Sequence, residues 1–299
     1  MTATETWTIG RLLTWTTEYL EKHGSQSARL DAEVLLSHAL GCQRIQLYTT
    51  FDEEPSEEAK TAFREMVRRR AEGTPVAYLV GYKEFYSDTF DVNPDVLIPR
   101  PETEHLVVEA LDRAKELLAE DANRELKIAD VGTGSGIIAV TLAKQLPNCQ
   151  VIAIDKSAAA LELAERNAKK LDVPESQIQF LQSDLLSELS PATQFDLIIS
   201  NPPYVSEAEY AALDNTVRNF EPEMALVAGP DGSELIVELM RQSVKLLNPE
   251  GYFIVEASPM LFDRVTKWQG SDWKCEKITK DLAGLGRVAT FKPNVDGPA

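Results

Sequence analysis

The spacing of the apolar positions changes once along the chain, and that change divides it. From about Thr8 to Gly73, Ile9, Leu12, Leu13, Thr16, Tyr19 and Leu20, and later Ala59, Phe63, Met66 and Val67, fall at helical spacing with polar residues on the other side of each turn. Ser56 predicts an N-cap, with Glu57 and Glu58 in the first turn and Arg68, Arg69 and Arg70 in the last turn before Gly73 and Pro75. This pattern predicts a small helical bundle, its arginine triplet a solvated helix end rather than a docking patch. Between Tyr78 and Pro101 the texture turns to aromatic and β-branched residues among turn formers, YLVGYKEFYSDTFDVNPDVLIPRP, which predicts a hairpin-like connection.

Beyond it, Leu106, Val107, Ala110, Leu111, Ala114, Leu117 and Leu118 mark an amphipathic helix. Short apolar blocks then alternate with helical stretches. LKIADVG is followed by a helix through Leu146, and QVIAID by a helix capped by Ser157 with Leu161, Ala164 and Ala168 inward; IQFLQSD, FDLIIS, GYFIVEA and RVATF follow. Alternation of this kind builds a mainly parallel sheet with helices on both faces, so the class is α/β: a Rossmann-like domain preceded by a small all-helical one. The expected boundaries are 1–77 for the helical domain, 78–101 for the connection, 102–293 for the α/β domain and 294–299 for a tail.

With 299 residues, 43% of them hydrophobic, the chain has core enough for two domains. Its start, MTATETWTIG, has no basic or apolar leader pattern, and no apolar run approaches the roughly 20 residues that cross a bilayer, so a soluble, cytoplasmic protein with no membrane partner is expected. Cys42, Cys149 and Cys275 are far apart and lack any zinc spacing, and His23, His38 and His105 form no cluster; buried reduced thiols and no metal are expected. A net charge of -18, from 30 basic and 48 acidic side chains spread over the whole chain, argues against binding naked nucleic acid, which rests on neutralising phosphates. Nothing asks for an obligate partner, and a monomer is expected.

The chemistry gathers at strand ends, where ligands of such sheets sit. The first strand runs into Gly132-Thr133-Gly134-Ser135-Gly136 and then a helix, a turn that brings backbone N–H groups to a ligand. Dinucleotide sites use G-x-G-x-x-G, whereas here Ile137 stands where the third glycine would fall, which counts against a pyrophosphate. Asp155 closes the next strand, where a carboxylate can take both ribose hydroxyls, and Asp184 closes the third, where it can accept from an adenine amino group. Together they describe a pocket for an adenosine-bearing ligand without a pyrophosphate, such as S-adenosylmethionine.

The fourth strand delivers Asn201-Pro202-Pro203-Tyr204 to the same edge. Two prolines have no N–H to donate and hold their predecessors extended, so that loop offers carbonyl acceptors, to which Asn201 adds its amide oxygen. Such a site suits an NH₂ on a planar carbon, with the Tyr204 ring as a face to lie on.

With these residues in place the sequence resembles the HemK/PrmC family, the release-factor glutamine methyltransferases. The likeness rests on RLDAEVLL and RRRAEGTPVAYLVGYKEF, on VLIPRPETEHLV, and on ADVGTGSGIIAV, SNPPY, FEPEMAL and GPDG, and covers nearly the whole chain. It implies a class I S-adenosylmethionine-dependent methyltransferase that modifies the side-chain N5 of the glutamine in the Gly-Gly-Gln loop of peptide chain release factors, which the helical domain grips. The family's cofactor residues would fall at Gly132, Thr133, Gly134, Ser135, Gly136, Asp155 and Asn201, with Asn201, Pro202, Pro203 and Tyr204 at the glutamine and Arg100, Glu102 and Thr103 at the rim. Leu185 stands where many members carry an aromatic beside the adenine, and VEASPML departs from the usual glycine and glutamine after strand five. The competing readings are an amino-methyltransferase of DNA or RNA, which would need a basic recognition surface, a nucleotide-dependent oxidoreductase, against which Ile137 argues, and a cofactor-binding module without turnover.

Overall fold

A computed structural model of the chain describes residues 6–121 and 124–294, so most of the expected tail lies outside the described residues. The chain divides into two compact units, one of Met1–Tyr82 with Asp214–Phe220, the other of Lys83–Leu213 with Glu221–Ala299.

The first unit holds α1 (Ile9–Lys22), α2 (Ala28–Leu40), α3 (Gln46–Thr49), α4 (Glu57–Ala71) and α5 (Val76–Val80). The Ser56 hydroxyl accepts from Ala59 N, as its place before the acidic first turn predicts, and Thr8 caps α1 in the same way through Arg11 N. Ile9, Leu13, Leu20, Leu35, Leu36, Leu47, Phe63 and Val67 form its core. The arginine triplet is less uniform than expected. Arg68 lies on the surface with Glu65 and Glu72, but Arg70 turns inward to Asp31 at 2.8 Å, and Asp31 also accepts from Ser25 and Ser27.

The hairpin of β1 (Tyr82–Phe85) and β2 (Asp88–Asp91), all of it but Tyr82 in the second unit, is followed by α6 (Glu104–Glu120). After it come β3 (Leu126–Val131), α7 (Ile137–Gln145), β4 (Cys149–Asp155), α8 (Ala158–Lys170), β5 (Ile178–Gln182), β6 (Phe195–Ser200), β7 (Val205–Ser206) and α9 (Glu207–Ala212). The one-turn α10 (Asn215–Arg218) belongs to the first unit; β8 (Val227–Gly229), α11 (Glu234–Ser243), β9 (Leu247–Glu256), α12 (Val265–Gln269), β10 (Trp273–Lys280) and β11 (Gly286–Pro293) complete the second.

Seven strands form one sheet in the order β10-β11-β9-β6-β3-β4-β5, parallel except where β11 runs against both its neighbours. Every residue of β6 and all but Lys127 of β3 are buried, which is why both appear in the sequence as unbroken apolar blocks. Alternate residues feed two layers. Ile128, Leu197, Ile199 and Ile254 pack with α6 and α7 on one face, while Ala129, Ile198, Phe253 and Val255 pack with α11 and Trp268 of α12 on the other. The edge strand β10 (WKCEKITK) was not expected from the pattern. Its charged, largely exposed residues suit a strand paired on one side only and hide it from any search for apolar blocks.

The topological switch lies between β3 and β6: the chain leaves β3 for β4 on one side, and β6 adds on the other. Open sheets of this kind bind ligands at that point, off the carboxyl ends of the strands.

Candidate active site

Each candidate side chain is held by bonds its own strand end supplies. Gly132, Gly134 and Gly136 all have positive φ, at 76°, 55° and 84°, a backbone that only glycine adopts without strain. The turn is closed from the neighbouring strand, since Gly132 N and Thr133 N both donate to Ile154 O, at 2.8 and 2.9 Å. Asp155 then clamps it: one carboxylate oxygen accepts from Gly134 N and the other from Ser157 N, both at 2.9 Å. Burial pushes the Asp155 carboxyl above its usual range, and these backbone N–H groups pull against that rise.

Asp130, just before the turn, is fully buried. One of its oxygens accepts from Thr133 Oγ1 at 2.7 Å and Ala139 N at 3.0 Å, and the other has no partner. Burial raises its carboxyl to about 7. Asn167 of α8, also buried, joins the turn to the hairpin: its Nδ2 donates to Ser135 O and Asp91 O, and its Oδ1 accepts from Asp91 N.

Across the switch point, Ser200 Oγ donates to Val131 O at 2.7 Å, tying the ends of β6 and β3 together. Asn201 follows, and its Nδ2 donates to Thr103 Oγ1 at 3.1 Å. With the amide nitrogen committed, Oδ1 is the end left to accept a hydrogen bond. Behind the loop, β7 pairs with β8, and Gly232 comes so close that a Cβ there would lie 2.7 Å from Tyr204 O, which accounts for a glycine in GPDG. Glu221 of FEPEMAL, nearly buried, accepts from Arg100 at 2.6 Å and from Ile98 N at 3.1 Å, fixing the IPRP segment.

These elements enclose a cleft of about 400 Å³. Gly132, Thr133, Gly134, Ser135, Asp155, Asp184, Leu185, Asn201, Pro203, Arg100 and Thr103 all line it, so residues as far as 103 positions apart in sequence meet at one cleft. Four candidates do not. Gly136 caps α7 and meets Ala164, Pro202 is buried, and Tyr204 and Glu102 stand outside the lining. Tyr204 packs against the core of the second face, and burial raises its phenol to about 12, so it is neutral. Asp184 is well exposed and pairs with Lys156 at 2.7 Å. The cleft fits an adenosine-bearing sulfonium. Space is open where a Cβ on Gly134 would stand, so a ligand can approach the backbone there. Each Asp155 oxygen also keeps a lone pair for a hydroxyl after taking its backbone N–H.

The same organisation recurs in known proteins. Residues 11–81 match the family model described as PrmC N-terminal domain, and residues 107–237 that described as Methyltransferase small domain. A release factor glutamine methyltransferase of Rhodopirellula baltica is 51% identical over 288 residues, covering 96% of both chains. The chain belongs to the release factor glutamine methyltransferase family. A second member, from Koribacter versatilis, is 42% identical over 91% of this chain and 93% of its own. In fold, the chain is similar to the hMettl16 catalytic domain, solved in complex with MAT2A 3'UTR hairpin 6, with a TM-score of 0.52 at 16% identity over 70% of this chain and 77% of that one.

Sequence reasoning missed Asp130, Asn167, Glu221 and Glu256 in this family member. A polar residue on the inward stripe of a helix, such as Asn167 among Leu161, Ala164 and Ala168, was a usable signal, because buried amides are hydrogen-bonded. No local pattern marks the pairing of Glu221 with Arg100, which spans 121 residues.

Proposed function

We propose that this chain transfers a methyl group from S-adenosyl-L-methionine to the side-chain N5 of the glutamine in the Gly-Gly-Gln loop of peptide chain release factors. The observation that carries the reading is Asn201 at the switch point, its amide nitrogen held by Thr103, its oxygen free to accept, and two prolines following it. Near-full-length identity to curated relatives of that activity supports it.

When bound, the cofactor supplies an electrophilic methyl on a sulfonium. In this reading Asp155 would accept from the ribose hydroxyls and Asp184 from the adenine amino group, and the Gly132–Gly136 turn and Leu185 would hold the rest of the adenosine. Asn201 Oδ1 and the carbonyl of Pro202 accept from the two N–H groups of the glutamine amide, and the Tyr204 ring supports its plane. The amide nitrogen is a weak nucleophile because its lone pair is delocalised. With the N–CH₃ bond forming as the S–CH₃ bond breaks, that nitrogen would gain positive charge, so both acceptors would bind it more strongly than in the ground state. The surplus proton then leaves to water. A neutral Tyr204 adds no charge that would compete for it.

The helical unit grips the release factor in this proposal, and the protein works as a cytoplasmic monomer without naked nucleic acid as substrate, in keeping with a net charge of -18. Among the described residues no helix is long and apolar enough to cross a membrane. The test is to incubate the purified protein with S-adenosyl-L-methionine and an unmodified release factor and to map the products by peptide mass spectrometry. One methyl on the Gly-Gly-Gln glutamine is the expected result; an unmodified factor in the presence of bound cofactor would overturn the substrate assignment and direct attention to nucleic-acid amines.

A further inference from the structure

Glu256 ends β9 beside the residues that carry Asn201. Its neighbour Val255 is in register with Ser200 of β6, and Glu256 itself with Val288 of β11, so it reaches the same sheet edge one strand from the asparagine. The side chain is buried, and its Oε2 has no hydrogen-bond partner. A buried carboxylate so poorly satisfied is costly to keep unless it does something. The Thr103 hydroxyl, the group that accepts from Asn201 Nδ2, stands near enough to hold the Glu256 carboxyl down.

The direction of these bonds decides what Glu256 does. A hydroxyl has a single proton, and because Thr103 Oγ1 receives one from Asn201, its own proton is the one it can turn toward Glu256. An ionised carboxylate can only accept, so the chain has one polarity, from Asn201 Nδ2 through Thr103 to Glu256, with Asn201 Oδ1 left toward the substrate. If the terminal group can donate, the chain can reverse: Thr103 accepts from position 256 and donates to Asn201 Oδ1, and the amide turns its NH₂ toward the cleft. A donor would then face the donors of the substrate amide. We infer that Glu256 is a positioning residue, which acts through Thr103 to hold the acceptor end of Asn201 toward the methyl-accepting nitrogen.

This inference rests on the glutamine methyltransferase reading above. Burial raises the Glu256 carboxyl to about 7; the Thr103 hydroxyl, Arg287 of β11 and Arg100 pull it down, Glu102 pushes it up, and the Tyr204 phenol beside it stays neutral. Polarity, and with it turnover, is therefore lost as pH falls through neutrality.

The experiment measures kcat and KM for release-factor methylation between pH 6 and 9 in wild type, Glu256→Gln, Thr103→Val and Thr103→Ser. Glutamine keeps the shape but can donate. It is expected to lower kcat about 100-fold, leave KM for both substrates within about threefold, and remove the acid limb near neutrality. Thr103→Val is expected to do the same, and Thr103→Ser to return most of the turnover that valine removes. Wild-type kcat and an unchanged acid limb in Glu256→Gln would overturn the inference. So would a loss confined to KM or to thermal stability. Failure of the function reading is distinct, because it would appear as absent methylation in the wild type.

Discussion

Replacing Asp155 with alanine tests the adenosine pocket most directly. In the structure this carboxylate does two things. It clamps the glycine turn through Gly134 N and Ser157 N, each at 2.9 Å, and in the proposed reading it uses its remaining lone pairs for two ribose hydroxyls. Hydrogen bonds to a charged group contribute about 1.5–3 kcal/mol each, so losing both ribose bonds is worth about 3–6 kcal/mol, or about 10²–10⁴ in Kd. The clamp adds a separate cost. Alanine leaves two backbone N–H groups without their acceptor, which loosens the turn even in the absence of ligand. The two effects separate experimentally: titration calorimetry with S-adenosyl-L-methionine reads the first plus the second, and urea unfolding of the ligand-free protein reads the second alone. Asp155→Asn, which keeps one acceptor oxygen, is expected to fall between. If Asp155→Ala unfolds at the wild-type urea midpoint and binds within about threefold of wild type, Asp155 neither clamps the turn nor holds the ribose.

Three further outcomes follow from other contacts. Asn201→Ala is expected to lower kcat by about 10²–10³ with cofactor affinity by calorimetry nearly unchanged, and turnover within about tenfold of wild type would refute its acceptor role. Gly136→Ala places a Cβ 3.0 Å from the Ala164 Cβ at a φ of 84°; positive φ and overpacking together are expected to cost about 2–5 kcal/mol in urea unfolding, and an unchanged midpoint would contradict the packing. The Asp130 carboxyl titrates at about 7 when folded against 3.8 unfolded. The folded state thus binds the extra proton between those values, so this group's contribution is present below pH 4 and is lost as pH rises to about 7, on the order of 4 kcal/mol at most. Asp130→Asn is expected to flatten that fall in stability relative to wild type, whereas parallel curves would show that Asp130 does not titrate there.

What could be recognised in advance follows a physical line. Central strands buried on both faces leave apolar blocks, and a turn that needs positive φ leaves glycines, so β3, β4, β6, β9, the Gly132–Gly136 turn, Asp155 and Asn201 were legible from local spacing. The edge strand β10 was not, because a strand with one exposed side and charged residues has no block to show. Partnerships across the fold were equally silent. Asn167 bonds to Asp91 from 76 residues away, and Glu256 reaches the sheet edge of Asn201 only because β9 lies beside β6. Spacing also did not separate the residues that line the cleft from those just behind it, since Gly136, Pro202 and Tyr204 stand outside the lining.

The arrangement of those supports bears on how methyl transfer is aligned. Transfer in line requires the acceptor nitrogen, the methyl carbon and the sulfur to be held together within a few tenths of an ångström. Here the two halves of the site share one backbone framework. Ser200 Oγ donates to Val131 O at 2.7 Å, and a Cβ on Gly132 would lie 4.0 Å from Asn201 O, so the glycine turn and the Asn201 loop leave adjacent strands almost in contact. Gly232 presses on Tyr204 O from behind, and Glu221 fixes the segment that carries Arg100 and Thr103. None of these contacts touches a reacting atom, yet each limits how far Asn201 can shift relative to the glycine turn. Precision therefore resides in the sheet and its cross-strand ties rather than in a closing loop, and substitutions at Ser200, Gly232 or Glu221 would act on kcat through alignment while leaving every group of the cleft chemically intact.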